Sequence, residues 1–324
     1  MTRRFLGCAV LAALLAAAPC AGGPVIAQAD VAGAVEVMVA GVPRIASAPK
    51  DIPLAHGVAA KLGFISSIAV DESSGLTYLL HRGPDADPVL VVDRRGALVR
   101  SWGKGLFKTP HSIRLDAQGN VWTVDSVSST ILKFSPAGEK LLAIEVGGQP
   151  DPTKTTGTAD IAFGPNGQLF IADGYGNARI LEFDASGKKV REWGTHGTRP
   201  GHFNVPHALV VASGAIFVAD RENGRVQKFD LMGKFLAEWP GLVKPMSLAF
   251  AKDGSLLVAI GYRDATNKQR PWLAWVARLD TASGKVIQAL EVGDDAHGFA
   301  VTGGAILTGG TTGALAAVHA FPVN

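Results

Sequence analysis

Short apolar runs that end in a polar turn recur along this chain from residue 64 onward. Residues 169–173 read LFIAD and residues 216–220 read IFVAD, so that in both runs four apolar residues precede an aspartate. Runs of this length that are rich in Val, Ile and Phe and bounded by Gly, Asp, Asn or Pro are typical of β-strands. Long stretches with the spacing of an amphipathic helix are hard to find, and the pattern therefore predicts an all-β protein.

The strand pattern repeats as a unit of four short strands with a period of about 40 to 50 residues. Six related segments open the units, namely FISSIAVD at 64–71, TPHSIRLD at 109–116, TADIAFG at 158–164, VPHALVV at 205–211, KPMSLAF at 244–250 and DAHGFAV at 295–301. A single unit cannot bury both faces of its small sheet, whereas units stacked around an axis bury them against one another. We therefore predict a six-bladed β-propeller over residues 61–324, because a two-sheet sandwich does not explain six repeats in phase.

Residues 30–60 precede the first unit and differ from it in composition. The last unit is short of sequence at its end, and an N-terminal strand AVEVMVA at 34–40 could complete it and close the ring. Residues 41–60 contain Pro43, Pro49 and Pro53 and are predicted to form a linker into the first blade. The prediction is thus a closure strand followed by a linker.

The first 29 residues have the pattern of a signal peptide. Arg3 and Arg4 are followed by an apolar run over 5–18, and Ala27-Gln28-Ala29 fits a cleavage site. The apolar run is too short for a stable membrane span, although a retained anchor is the alternative. We expect cleavage near Ala29 and export to the periplasm or the medium, by a route that the sequence leaves open.

Both cysteines of the chain, Cys8 and Cys20, lie in this predicted leader. The mature chain would then have no disulfide and no thiolate metal site. Loss of Arg3 and Arg4 leaves 29 basic residues against 28 acidic ones. A net charge this close to zero gives no reason to expect nucleic acid or a membrane surface as a partner.

Three histidines occupy the same position of alternate units. The aligned position, in the strand expected to line the axis, holds Ser66, His111, Ala159, His207, Met246 and His297. Alternate blades of a six-bladed propeller are about 120° apart, so the three imidazoles should meet on the axis. Three His ligands with an open fourth position are typical of catalytic zinc. The other histidines, for which we expect ordinary hydrogen-bonded roles, are His56, His81, His196, His202 and His319.

Polar turns after the second strands should surround the same axis. They contain Arg82, Tyr175 and Arg221. Arginines beside a metal suit a carboxylate substrate, because guanidinium forms two parallel hydrogen bonds to it. Neighbouring cations stabilise a phenolate, so that Tyr175 could act as a base. The plainer alternatives are surface ion pairs for the arginines and a packed ring for the tyrosine, and Asp125, Asp173 and Asp220 are interpreted as turn residues.

Several of these motifs resemble those of the peptidyl-α-hydroxyglycine α-amidating lyase family, whose zinc lyase domain is an NHL-type six-bladed propeller. The motifs are DGYGNAR, FNVPHALVV and ADRENGRVQ, with HRG at 81–83 and LFKTPHSIRLDAQGNVWTVD at 106–125, and the resemblance spans roughly residues 60–300. It implies cleavage of a peptidyl- or N-acyl-α-hydroxyglycine into an amide and glyoxylate. It further implies that zinc is bound by His111, His207 and His297, that Tyr175 is the base, and that Arg82 and Arg221 bind the substrate carboxylate.

The third histidine departs from the family pattern. The family usually has Pro-His-Asp, whose Asp helps to hold a structural calcium, whereas this chain has Ala296-His297-Gly298. Calcium is therefore an open question here. Two other functions also stay open. One is a non-catalytic NHL propeller that grips a peptide or glycan; the other is a lactonase-like hydrolase, although such sites favour oxygen ligands for calcium-type ions and three histidines favour zinc.

Overall fold

The computed structural model describes residues 31–45, 50–147, 157–263, 272–293, 296–303, 305–310 and 315–318. The predicted signal peptide, with Cys8 and Cys20, and His319 lie outside these residues. Within them the chain is almost entirely β-structure, and the α-helices are α1 (Val31–Met38) and α2 (His56–Ala59). Neither described helix has the length or the apolar sequence needed to span a bilayer.

The prediction of a closure strand at 34–40 is wrong, because most of that segment lies in α1. Val35 and Val39 are buried against Leu242 and Val243, whereas Val37 is 77% exposed. This i, i+4 spacing puts one side of a helix on the core. The letters AVEVMVA alternate in polarity only weakly, and helical packing against the propeller determined the outcome.

Two short strands in the predicted linker each pair with a sheet of the propeller instead. They are β1 (Arg44–Ile45) and β2 (Lys50–Asp51). β2 pairs with the last strand of the described chain, so that residues just before the first blade close the ring. Closure by an N-terminal segment was predicted, but the segment that provides it is β2.

Four sheets are each formed by four consecutive antiparallel strands. Sheet 1 contains β3 (Ile65–Asp71), β4 (Leu76–His81), β5 (Val89–Val92) and β6 (Leu98–Trp102). Sheet 2 contains β7 (Pro110–Leu115), β8 (Val121–Asp125), β9 (Thr130–Phe134) and β10 (Lys140–Glu145). Sheet 3 contains β11 (Asp160–Phe163), β12 (Leu169–Asp173), β13 (Arg179–Phe183) and β14 (Lys189–Trp193). Sheet 4 contains β15 (Pro206–Ala212), β16 (Ala215–Asp220), β17 (Arg225–Asp230) and β18 (Phe235–Pro240).

The two remaining described sheets include the N-terminal strands. Sheet 5 contains β19 (Pro245–Phe250), β20 (Leu256–Arg263), β21 (Trp272–Leu279) and β22 (Val286–Gly293), with β1 parallel to β22. Sheet 6 contains β23 (Gly298–Thr302), β24 (Ala305–Gly309) and β25 (Leu315–Val318), with β2 antiparallel to β25. Five described sheets therefore have the predicted four strands, and sheet 5 departs from the prediction because β1 adds a fifth.

The first strands of the sheets close a ring around an axis. β3, β7, β11, β15, β19 and β23 contact one another in this order, and β23 contacts β3. The buried apolar side chains form clusters between neighbouring sheets; Tyr78 of sheet 1, for example, shares a cluster with Phe134 of sheet 2. The molecule is thus an all-β propeller whose core lies between the sheets, as the repeat pattern predicted.

Tryptophans at the ends of fourth strands set the spacing between some sheets. Trp102 of sheet 1 lies under the turn of sheet 2 that contains Gly138, and Trp193 of sheet 3 lies under the Gly233 turn of sheet 4. A Cβ on Gly138 would lie 2.9 Å from the indole of Trp102, and φ at Gly138 is +94°. Glycine is therefore required there for both space and conformation.

Candidate metal centre

The three histidines predicted as metal ligands meet on the propeller axis. His111 and His207 lie near the starts of β7 and β15, and His297 directly precedes β23. One ligand nitrogen from each lies within 4.8 Å of the others. The ring centroids are 4.9 to 5.4 Å apart. The histidines could therefore form a metal site, and no other such group of His, Cys, Asp or Glu occurs among the described residues.

Four of the sheets have a β-bulge at the aligned position, and two of these bulges contain His111 and His207. In β7, Pro110 pairs with Asp125 and Ser112 with Val124, which leaves His111 as the extra residue. His207 is the extra residue of β15 in the same way. Ser66 and Met246 are the corresponding residues of β3 and β19. A bulge interrupts the alternation of side chains along a strand, and here it lets two consecutive residues face the axis.

Backbone carbonyls of the intervening sheets fix the orientation of each imidazole. The Nδ1 atoms of His111, His207 and His297 each lie 2.7 Å from a carbonyl oxygen. The carbonyls belong to Ala159, Met246 and Ser66, which occupy the aligned position in sheets 3, 5 and 1. Because a carbonyl only accepts, each Nδ1 carries the proton, and Nε2 of the neutral ring is left as the ligand atom.

The protein environment keeps the imidazoles neutral. Burial lowers the pKa of His111 and His207 well below the ordinary value of about 6.5, and nearby positive charges add to this effect. Burial also lowers the pKa of His297, to about 4. Neutral imidazole is the form that binds a metal ion, so the site is prepared for a cation near neutral pH.

Tyr175 lies between two of the ligand nitrogens. Its hydroxyl is 2.9 Å from Nε2 of His111 and 2.8 Å from Nε2 of His207. The hydroxyl has one proton, which can satisfy only one of two unprotonated nitrogens. The other nitrogen then faces an oxygen lone pair, a costly arrangement in a buried site that a cation between the nitrogens would resolve. The donor set therefore fits a metal ion.

Arg82 lies beside the histidines without a carboxylate partner. Its Nε donates to Ser66 Oγ at 2.8 Å and to the Pro110 carbonyl at 3.1 Å. The guanidinium lies 4.7 Å from the centre of the Phe64 ring. Among the described residues Arg82 forms no ion pair, and burial lowers its pKa. Arg82 is nevertheless exposed to solvent overall, and a guanidinium without an ion-pair partner can bind an anionic ligand.

Arg221 is held differently, by an ion pair with Glu222. Its Nε donates to Glu222 at 2.8 Å, and Glu222 also accepts from Lys244 Nζ at 2.9 Å. Its Nη1 is 3.4 Å from the Tyr175 hydroxyl, and the guanidinium lies 5.4 Å from the centre of the tyrosine ring. The structure therefore brings together all six predicted site residues and adds Phe64, Glu222 and Lys244, which no sequence pattern singled out.

A second polar layer lies on the axis directly below the histidines. Arg114 Nη2 is 2.8 Å from Asp160 Oδ2, and Ser112 donates to the other carboxylate oxygen. Arg114 also donates to Ser67 Oγ at 3.1 Å, and the backbone N–H of Leu209 reaches Asp160. We call this group the axial floor. The cavity between it and the histidines is about 10 Å³, the lower limit for one water molecule.

The aspartates that end the second strands stabilise their turns, as predicted. Asp125 accepts the backbone N–H groups of Lys108 and Thr109 at 2.6 and 2.7 Å. Asp173 and Asp220 each accept from an asparagine and an arginine of their own turn. These hydrogen bonds hold the turns that carry Tyr175 and Arg221 and leave the carboxylates no direct part at the metal centre.

Comparison with known proteins agrees with the propeller fold. A model of the NHL repeat matches residues 203–229. A solved structure described as streptogramin B lyase has a TM-score of 0.60 at 15% identity and covers 85% of this chain and 98% of its own, which shows the fold alone. The chain is an NHL-type β-propeller.

Two curated relatives are similar over part of their length. Peptidylglycine alpha-amidating monooxygenase of Rattus norvegicus is 35% identical over 201 residues, which cover 52% of this chain and 20% of that protein. Peptidyl-alpha-hydroxyglycine alpha-amidating lyase 2 of Drosophila melanogaster is 35% identical over 164 residues, which cover 47% of this chain and 39% of that protein. The chain thus spans about a fifth of the rat relative.

Proposed function

We propose that this chain is a zinc-dependent lyase that cleaves the C–N bond of a peptidyl- or N-acyl-α-hydroxyglycine to give an amide and glyoxylate. The observation that carries the proposal is the meeting of three neutral imidazoles, one phenol and two guanidinium groups on the propeller axis. The names of the similar amidating proteins support the substrate class.

The proposed ion is zinc, held by Nε2 of His111, His207 and His297. A site of imidazoles without carboxylates suits zinc better than calcium or magnesium. When bound, the ion would supply Lewis acidity that makes a substrate hydroxyl easier to deprotonate. We propose no calcium in the axial floor, where Arg114 already supplies a positive charge to Asp160.

The chain's own groups would move one proton and bind one carboxylate. Tyr175 takes the proton of the α-hydroxyl group. The electron pair of that O–H bond forms the carbonyl of glyoxylate as the C–N bond breaks, and the leaving amide nitrogen receives a proton from Tyr175. No water or oxidant is consumed. Arg82 and Arg221 orient the carboxylate and complement its charge.

The test is glyoxylate release from a simple N-acyl-α-hydroxyglycine by zinc-loaded protein. His207→Ala should lose both the metal and the activity, whereas Met246→Ala should keep both, because Met246 contributes its carbonyl to the site. No release from a protein that holds one zinc ion would exclude this substrate class and favour another propeller metalloenzyme. No release and no bound metal would favour the alternative of a non-catalytic propeller that binds a peptide or glycan.

We also propose that residues 1–29 are a leader removed on export. The sequence pattern of Arg3, Arg4 and Ala27-Gln28-Ala29 supports this. The mass of protein recovered outside the cytoplasm measures it. A species beginning at Asp30 is expected, and an unprocessed chain confined to the cytoplasm would contradict the proposal.

A further inference from the structure

His81 lies next to Arg82 and is fully buried at the end of β4. Its two ring nitrogens have different partners. Nε2 is 2.9 Å from the carbonyl of Asp87, which only accepts, so Nε2 carries the proton. Nδ1 is 3.0 Å from the backbone N of Gly83 and 3.3 Å from that of Gly63, and both of these groups only donate. The hydrogen bonds therefore require a neutral ring with an unprotonated Nδ1.

The backbone on both sides of Arg82 is packed against a second segment. A Cβ on Gly63 would lie 2.6 Å from the backbone N of Gly83. A Cβ on Gly83 would lie 2.4 Å from the Lys61 carbonyl and 2.9 Å from the His81 ring. Neither contact leaves room for a side chain, and the acceptor shared by the two segments is Nδ1 of His81.

The two segments carry the groups that orient the Arg82 guanidinium. Arg82 donates its backbone N–H to the Phe64 carbonyl at 2.9 Å, and its guanidinium lies over the Phe64 ring. Its Nε is held by Ser66 Oγ, two residues farther along the same segment. Loss of the Nδ1 acceptor would therefore disturb both the arginine and the ring and hydroxyl that hold it.

We propose that His81 is the positioning residue for Arg82, and that protonation of its Nδ1 weakens carboxylate binding at the metal centre. This inference rests on the proposed function, in which Arg82 binds the substrate carboxylate. A proton on Nδ1 would point at two N–H groups that need an acceptor. The turn at 81–83 and the segment at 61–64 would then separate, and Arg82 would lose its fixed orientation.

The surroundings of His81 keep its ring neutral near neutral pH. Burial lowers the pKa of His81, and the hydrogen bond and charge of Asp87 act in the opposite direction. The other charged residues of the two segments, at 61–64 and 81–87, are Lys61, Arg82 and Asp85. Carboxylate affinity should accordingly be constant near neutral pH and fall in acid.

Two substitutions separate the two ring nitrogens. In His81→Asn the amide oxygen lies near the place of Nδ1 and can accept from Gly83, but the hydrogen bond to Asp87 is lost. In His81→Gln the terminal amide can reach the place of Nε2 and donate to Asp87, but the acceptor for Gly63 and Gly83 is lost. The pair thus tests which nitrogen matters for Arg82.

We expect His81→Gln to raise KM about 10- to 100-fold with little change in kcat, as for the loss of a hydrogen-bonded charge contact. His81→Asn should stay within about threefold of the wild type, and both variants should retain the metal. The KM of the wild type should rise in acid, whereas that of His81→Asn should not. Equal KM values for His81→Gln and the wild type would overturn the inference, as would equal losses in the two variants.

Binding of glyoxylate to the metal-loaded protein, measured by calorimetry, separates this inference from the proposed function. A wild type without lyase activity would refute the proposed reaction. If it still binds the carboxylate, and His81→Gln weakens binding as much as Arg82→Ala, the inference stands. Unchanged binding in His81→Gln would overturn it. Should His81→Gln fail to fold, the pH dependence of binding in the wild type and in His81→Asn decides, and identical profiles would refute the role.

Discussion

The histidine layer and the axial floor are neighbouring layers on the axis, and on β7 His111 and Ser112 are consecutive residues, yet the two layers differ in how their polar groups are satisfied. In the floor, Asp160 receives hydrogen bonds from Arg114, Ser112 and Leu209, so its charge is compensated within the chain. In the histidine layer, Tyr175 offers one proton to two ligand nitrogens. Polar residues at a propeller axis do not by themselves indicate a site; convergent acceptors that the chain leaves unsatisfied do.

The β-bulges explain how two such layers fit on single strands. Without a bulge, His111 and Ser112 would point to opposite faces of sheet 2. With His111 as the extra residue of β7, both side chains line the same axial cavity. The histidine layer faces the turn that contains Tyr175 and can bind a ligand. The axial floor beneath it blocks the axis with the ion pair between Arg114 and Asp160.

The largest contrast is expected between two neighbouring substitutions, His111→Ala and Ser112→Ala. The first removes a ligand and should abolish both stoichiometric metal binding and turnover. The second removes one hydrogen bond to Asp160 and should cost about 1 kcal/mol of stability while the metal stays bound. Metal content by mass spectrometry and glyoxylate assays measure both. A His111→Ala variant with full metal content would contradict the prediction that the histidine layer, and not the axial floor, binds the metal.

Tyr175→Phe tests whether the phenol belongs to the chemistry or to the packing. We expect the variant to keep its metal and to lose turnover by about 10²- to 10⁴-fold, the usual contribution of a positioned base. Tyr78→Phe is a suitable control, because Tyr78 is buried in the core between sheets 1 and 2. Full activity in Tyr175→Phe would remove the hydroxyl from the mechanism.

Arg114→Ala tests the floor. It leaves the buried Asp160 carboxylate without its cation, and we expect a loss of about 3 kcal/mol in the free energy of unfolding. Lys189→Ala breaks an exposed pair with Glu192 and should cost less than about 1 kcal/mol. Denaturant titration compares the two. Equal small losses would show that the floor ion pair contributes no more than a surface one.

The smallest expected effect is the change of the free energy of unfolding of the metal-free protein with pH. The pKa values of the three histidines are lower in the folded chain than the value of about 6.5 in an unfolded one. The unfolded state therefore binds more protons below pH ~6.5. The free energy of unfolding should be constant above this pH and fall as the pH decreases toward about 4, the pKa of His297. Denaturant titration of the metal-free protein at several pH values measures this profile.

The repeat pattern predicted the strands of the propeller and the meeting of His111, His207 and His297. These predictions succeeded because the polarity pattern of the strands and the spacing of the repeats are both visible in the amino-acid sequence. It could not show the bulges, which depend on pairing with the second strand, or α1, whose burial against Leu242 depends on the folded ring. The roles of Phe64 and His81 were also hidden, because they arise from backbone packing at Gly63 and Gly83.

The backbone carbonyls that accept hydrogen bonds from the imidazoles affect what mutagenesis of this site can detect. Ala159 and Met246 each contribute one main-chain oxygen to a metal ligand's orientation. Any side chain that fits leaves that oxygen in place. An alanine scan would therefore detect the histidines and miss both of these residues, because side-chain substitutions do not report on main-chain carbonyls.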